Sequence, residues 1–112
     1  MAKSNPPFMS GVPELLLLRL LEDREMYGYE LVRSIREATG EAISLDEGVI
    51  YPVLHSLERN GSLKARRKPV GGRTRVYYSL TKQGRGRLAD LQEDWRRIQA
   101  GIETVLENPA IA

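Results

Sequence analysis

Leucine fills positions 15, 16, 17, 18, 20 and 21, so the segment from Glu14 to Glu22 is apolar on nearly every side. It predicts a first helix, with Pro13 suited to the first turn, where the missing N–H has no helical partner to lose. A helix this rich in leucine needs more cover than a small domain offers, so part of it is expected to be buried by a partner. Asp23 to Met26 is a polar turn. Tyr27 to Thr39 forms a second helix, with Tyr27, Leu31 and Ile35 along one line, Val32 beside them and Gly40 as the stop. Gly28 at its start allows close helix approach. The connector from Glu41 to Leu45 has room for at most a short strand over Ala42 to Leu45.

A third helix spans Asp46 to Gly61, DEGVIYPVLHSLERNG, with Ile50, Val53, Leu54 and Leu57 at the spacing of a buried stripe. Asp46 is placed as N-cap, Glu47 complements the helix dipole and Gly61 takes the left-handed position after the last turn. The opposite face carries Gly48, Val49, Tyr51, Pro52, His55, Ser56 and Arg59, of which only Arg59 is long and charged. Small residues there permit close contact with a partner surface, and Pro52 gives up a helical hydrogen bond that a purely structural helix would keep.

Leu63 to Lys68 and Arg73 to Leu80 then alternate as the arms of a hairpin, with Pro69, Val70, Gly71 and Gly72 at its tip. Val76, Tyr78 and Leu80 are assigned to the core face, and Arg75, Tyr77 and Ser79 to the exposed one. Thr81 caps a last helix, in which Leu88, Leu91, Trp95, Ile98, Ile102 and Val105 follow at steps of 3, 4, 3, 4 and 3. That register is a coiled-coil seam too short to stand alone. Its partner is expected to be the leucine-rich first helix, through Leu15 and Leu18, of a second copy, giving a homodimer.

Charge sharpens this picture. The net charge of +2 is unremarkable, but between Ser62 and Ala89 lie nine of the seventeen basic residues and none of the fifteen acidic ones. A one-signed hairpin attracts polyanions. The chain has no cysteine and a single histidine, His55, which excludes a disulfide framework and thiolate chemistry and leaves no constellation for acid–base catalysis or metal binding. Enzyme, metal and cofactor are therefore not expected. Neither a signal segment nor a membrane span is legible, so a cytoplasmic protein is expected.

Three helices, a basic hairpin and a long helix are the order of a winged helix-turn-helix, mainly α with a small β-wing. The divisions expected are a flexible arm over 1–12, with Phe8 and Met9 its sticky points, a DNA-binding domain over 13–81 and a dimerisation helix over 82–108. MYGYELVRSI (26–35), EGVIYPVLHSLERNG (47–61) and GGRTRVYYSLTKQG (71–84) resemble the PadR family of bacterial transcriptional regulators. The resemblance implies a compact dimeric repressor, with the C-terminal helix of one subunit on the N-terminal helix of the other. In multidrug-binding members a tryptophan on that helix, doubled by symmetry, sandwiches a flat aromatic effector. Trp95 falls at the matching place, while Gln92, one turn earlier, replaces an aromatic residue of those members.

On this reading Gly48, Val49, Tyr51, Pro52, His55 and Ser56 face the major groove of an operator. Val49 is suited to a thymine methyl, and the hydroxyls and imidazole to base edges. Arg59, Lys64, Arg66, Lys68, Arg73 and Arg75 meet phosphates, and Gly71 and Gly72 let the wing tip approach the backbone. Two rival readings keep the fold and change the partner: a protein-docking module, or an architectural DNA binder without an effector.

Overall fold

The computed structural model describes residues 9–108. Its elements are α1 (Val12–Asp23), β1 (Met26–Tyr27), α2 (Gly28–Ala38), α3 (Glu47–Arg59), β2 (Leu63–Val70), β3 (Arg73–Leu80) and α4 (Lys82–Glu107). Residues 1–8 of the expected arm, Phe8 among them, lie outside the described residues; Met9 is half-buried in a turn. Val12 and Pro13 are buried, so the first helix begins earlier than Glu14.

α1 is the hub, packing against α2, α3, α4 and β3. Leu17, Leu18 and Leu21 are enclosed by the chain itself, while Leu15, Leu16 and Leu20 are only partly covered. The expected shortage of cover is thus confined to one side of the helix. An ion pair between Glu14 and Arg87 joins α1 to the first turns of α4.

The turn expected before α2 holds a two-residue strand. Met26 pairs with Tyr78 and Tyr27 with Tyr77, giving a three-stranded antiparallel sheet of order β1-β3-β2. The strand runs directly into α2, where Glu30 accepts a hydrogen bond from the Tyr27 N–H at 3.3 Å. α2 stops as Gly40 and Glu41 turn left-handed, with φ of 60° and 67°. The connector forms no strand, because the Thr39 hydroxyl takes the Ile43 N–H and lies 3.2 Å from the Ile43 carbonyl, folding the backbone back on the helix end. Leu45 plugs the core from this loop.

In α3 the Asp46 carboxylate accepts from the Val49 N–H at 3.1 Å, and Ile50, Leu54 and Leu57 are buried. Gly61, at φ 87°, ends the helix, with the Ser62 N–H bonded to the Leu57 carbonyl. The hairpin arms run further than the spacing suggests: Val70 pairs with Arg73, so the turn is Gly71-Gly72 alone, both at positive φ as a tight primed turn requires. Pro69 sits on the edge strand β2, where its lack of an N–H breaks no ladder.

The Thr81 hydroxyl caps α4 by accepting from the Gly84 N–H at 3.0 Å. Leu88 is 1 % exposed and Leu18 0 %, both inside their own domain. A second copy therefore has nothing left to cover on either, and the expectation that they line a dimer interface is corrected. Beyond Leu88 the helix leaves the domain, and exposure climbs from 44 % at Trp95 to 61 % at Val105 and 74 % at Leu106.

Candidate nucleic-acid interface

The outward face of α3 presents Gly48, Val49, Pro52, His55, Ser56 and Arg59 to solvent. Tyr51 departs from the group. A Cβ on Gly28 would stand 2.5 Å from the Tyr51 hydroxyl, so the missing side chain is the space the phenol occupies against α2. Burial, and secondarily the charge of Glu47, pushes the phenol pKa up. Tyr51 is thus a half-buried wedge that fixes the angle of α3, with its ring 6.1 Å from that of His55. Its neighbours Val49, His55 and Ser56 stay exposed on the outward face.

Strand register divides the wing cations between two faces. Arg66 pairs with Tyr77 and Lys68 with Arg75, so Lys64, Arg66, Lys68, Arg73 and Arg75 share the outer face of the sheet. Arg67 pairs with Val76 and lies on the opposite face, the one packed on the helical core beside α3.

On the outer face Glu25 Oε1 accepts from Arg66 Nη2 at 2.6 Å and from Lys68 Nζ at 2.5 Å. These bonds, Lys68 first and Arg66 second, hold the Glu25 carboxyl below its ordinary pKa. Lys68 Nζ also lies 4.5 Å from the centre of the Tyr77 ring, and Arg75 lies 4.5 Å from that of Tyr27. The two rings meet edge to face at 5.4 Å. Among the described residues Arg59, Lys64, Arg67 and Arg73 have no carboxylate at ion-pair distance.

The second candidate surface is where α4 passes α1. Gly11, Val12, Leu15, Leu91, Asp94, Trp95 and Ile98 line an open crevice of about 210 Å³, and Leu15, Leu16, Arg19, Gln92, Trp95 and Arg96 line another of about 170 Å³. Trp95 and Leu15 belong to both, so the indole stands as a partition between two apolar hollows.

A family model described as the transcriptional regulator PadR-like family matches residues 17–90, more than half the chain. The chain belongs to the PadR-like family. It is 32 % identical over 99 residues to the transcriptional regulator Rv3488 of Mycobacterium tuberculosis, covering 88 % of this chain and 87 % of that protein. A transcriptional regulator from Clostridium thermocellum matches with a TM-score of 0.83 at 26 % identity, over 91 % of this chain and 97 % of that one. Bacillus subtilis PadR, solved in complex with operator DNA, matches with a TM-score of 0.68 at 29 % identity, over 72 % of this chain and 46 % of that one. The family and these relatives are transcriptional regulators, not enzymes.

In this PadR-like regulator three residues of the candidate surface were missed in the sequence, two of them without a local signal and one with it. Glu25 sits in what reads as a polar turn, and its contacts with Arg66 and Lys68 are long-range. Tyr27 reads as helix, and only the β1 pairing turns it to the outer face. Arg67 had a usable signal, because strict alternation separates it from Arg66 and Lys68 and gives it to the side of α3.

Proposed function

We propose that this regulator binds operator DNA as a homodimer, represses transcription there, and is released by a flat aromatic molecule held at the dimer interface around Trp95. The supporting observation is a juxtaposition: an exposed α3 face of small and polar residues stands beside a hairpin whose Lys64, Arg67 and Arg73 have no carboxylate at ion-pair distance among the described residues. The small residues let the helix enter the major groove, while the wing cations displace counterions from phosphates. The operator complex of Bacillus subtilis PadR supports carrying this mode over to the present chain. No arginine or asparagine lies early on α3 for a bidentate base contact, so half-site spacing and DNA shape carry part of the specificity.

Arg67 and Arg73 join Arg59 and Lys64 as phosphate ligands, with Gly71 and Gly72 at the closest approach of the wing. Leu15, Leu91, Trp95, Ile98, Ile102 and Val105 form the dimer seam. The proposed place of action is the cytoplasm. No helix among the described residues is long and apolar enough to cross a membrane.

Fluorescence anisotropy with DNA from upstream of the regulated gene tests the DNA contacts. Affinity falls as salt rises with a log–log slope of about −5 to −9, as six to ten phosphate contacts per dimer require. Arg67→Ala and Arg73→Ala each weaken all sequences alike and make the slope shallower by about 2 per dimer. His55→Ala or Ser56→Ala changes sequence preference instead. Affinity indifferent to salt would point to a protein-docking module, and equal competition by random DNA to an architectural one.

Trp95 is the single tryptophan, so its fluorescence reports on the interface alone. Planar cationic or phenolic compounds that stack on the indole quench this emission and lower operator affinity together. Quenching without release of DNA would leave the chain without a repressor's effector site.

A further inference from the structure

Glu25 makes two contacts that the DNA-binding reading leaves without a purpose. One carboxylate oxygen receives both Arg66 Nη2 and Lys68 Nζ, two wing cations that the basic hairpin would otherwise offer to a phosphodiester. An anionic oxygen that accepts from a guanidinium and an ammonium on one strand is also what a DNA phosphate presents. The turn carrying Glu25 is fixed at both ends, by α1 before it and by the β1 pairing to β3 after it. Tyr77 keeps Lys68 at the same spot from below, and Tyr27 does the same for Arg75 beside it.

We propose that Glu25 is a built-in phosphate surrogate: it occupies Arg66 and Lys68 in the free protein, so that DNA must displace it to gain these contacts. The proposal rests on the DNA-binding reading above and adds to it a residue that sets the sequence-independent affinity. Sequence-independent affinity comes mainly from phosphate contacts, so a competing carboxylate lowers binding to all DNA. Only a site whose base edges and shape match α3 binds tightly despite the loss. Glu25 thereby reduces the time spent on random sequence, a role that an acidic residue within a cationic wing is suited to fill.

A merely structural role makes the opposite forecast. If Glu25 only rivets β1 to β2 across β3, its removal loosens the wing and weakens binding. The test compares the full-length chain with Glu25→Gln, which keeps size and hydrogen-bonding capacity but removes the charge, on operator and on random duplexes at fixed salt. The surrogate role predicts that random-duplex affinity rises roughly four-fold or more, the size expected on releasing four solvent-accessible ion pairs per dimer, two in each subunit. Operator affinity rises by a similar factor, because a displacement cost common to every duplex cancels in their ratio. Arg66→Ala and Lys68→Ala then cost more affinity in the Glu25→Gln background than in the original chain.

Unchanged or lower random-duplex affinity in Glu25→Gln, with the original chain still binding operator, overturns the surrogate role alone. Failure of the original chain and every variant to bind any duplex overturns the DNA-binding reading and the surrogate role with it. Glu25→Asp separates geometry from charge: it retains the low random affinity if charge at this position is what matters.

Discussion

An Ile98→Asp chain sediments as a monomer at concentrations where the original chain sediments as the proposed dimer, and its operator affinity falls by about a hundred-fold or more. Ile98 is 46 % exposed at the centre of the α4 stripe, one turn beyond Trp95 and one before Ile102. In the lone subunit an aspartate there remains in water and leaves the buried core untouched. In the proposed dimer two such carboxylates enter an apolar seam, where an unpaired charge costs several kcal/mol (roughly 3–5 for a broken buried pair). Loss of the second half-site then removes the intramolecular advantage of a linked reader, a factor of about 10² to 10⁴. Sedimentation velocity and anisotropy read the two effects separately. A dimer that persists in Ile98→Asp refutes the α4 seam, and undiminished operator binding by a monomer refutes the need for two readers.

Gly84→Ala has the largest expected effect on folding. Gly84 is in the first turn of α4, where alanine in place of glycine would ordinarily stabilise a helix by about 1 kcal/mol. Here a Cβ would stand 2.1 Å from the Ser62 carbonyl oxygen and 2.7 Å from Leu80 Cδ1. The Ser62 carbonyl cannot withdraw cheaply, since it accepts from the Thr81 N–H at 3.1 Å and lies 3.0 Å from the Thr81 hydroxyl. The helix must shift instead, and a net loss of about 2–3 kcal/mol is expected. Gly86→Ala, two residues on, meets nothing within 4 Å and should be neutral or stabilising. Urea denaturation of both variants checks the contact: a Gly84→Ala midpoint no lower than that of Gly86→Ala would rule it out.

Gly84 lies on the part of α4 held by the domain and Ile98 on the part beyond it, and the boundary between the two was only half legible beforehand. The Thr81 cap and the stepped apolar residues announce the helix and its seam, since both are local patterns. Where the domain ends and the free seam begins is not local. Leu88 continues the same register as Leu91, yet it is fully covered by its own domain, while Ile98 and Val105 beyond it are open. Periodicity fixes which face of a helix is apolar without saying what covers it.

α3 shows the same division. Its cap, its stripe of Ile50, Leu54 and Leu57, and its Gly61 terminus follow from spacing alone. Tyr51 shares the outward side in any helical projection, and only the notch at Gly28, on another element, turns it into a wedge. The wing likewise announces its strands and its Gly71-Gly72 turn, but β1 is two residues long and pairs with residues half the chain away. No local pattern distinguishes such a strand from a turn.

Sequence by itself determined the order of helices and hairpin, the family likeness, and the concentration of positive charge in one segment, because each is written in neighbouring residues. Tertiary structure alone decided which of those charges are free. Glu25 meets Arg66 and Lys68 only after β1 closes the sheet, and an ion pair depends on distance in space, to which separation along the chain is no guide.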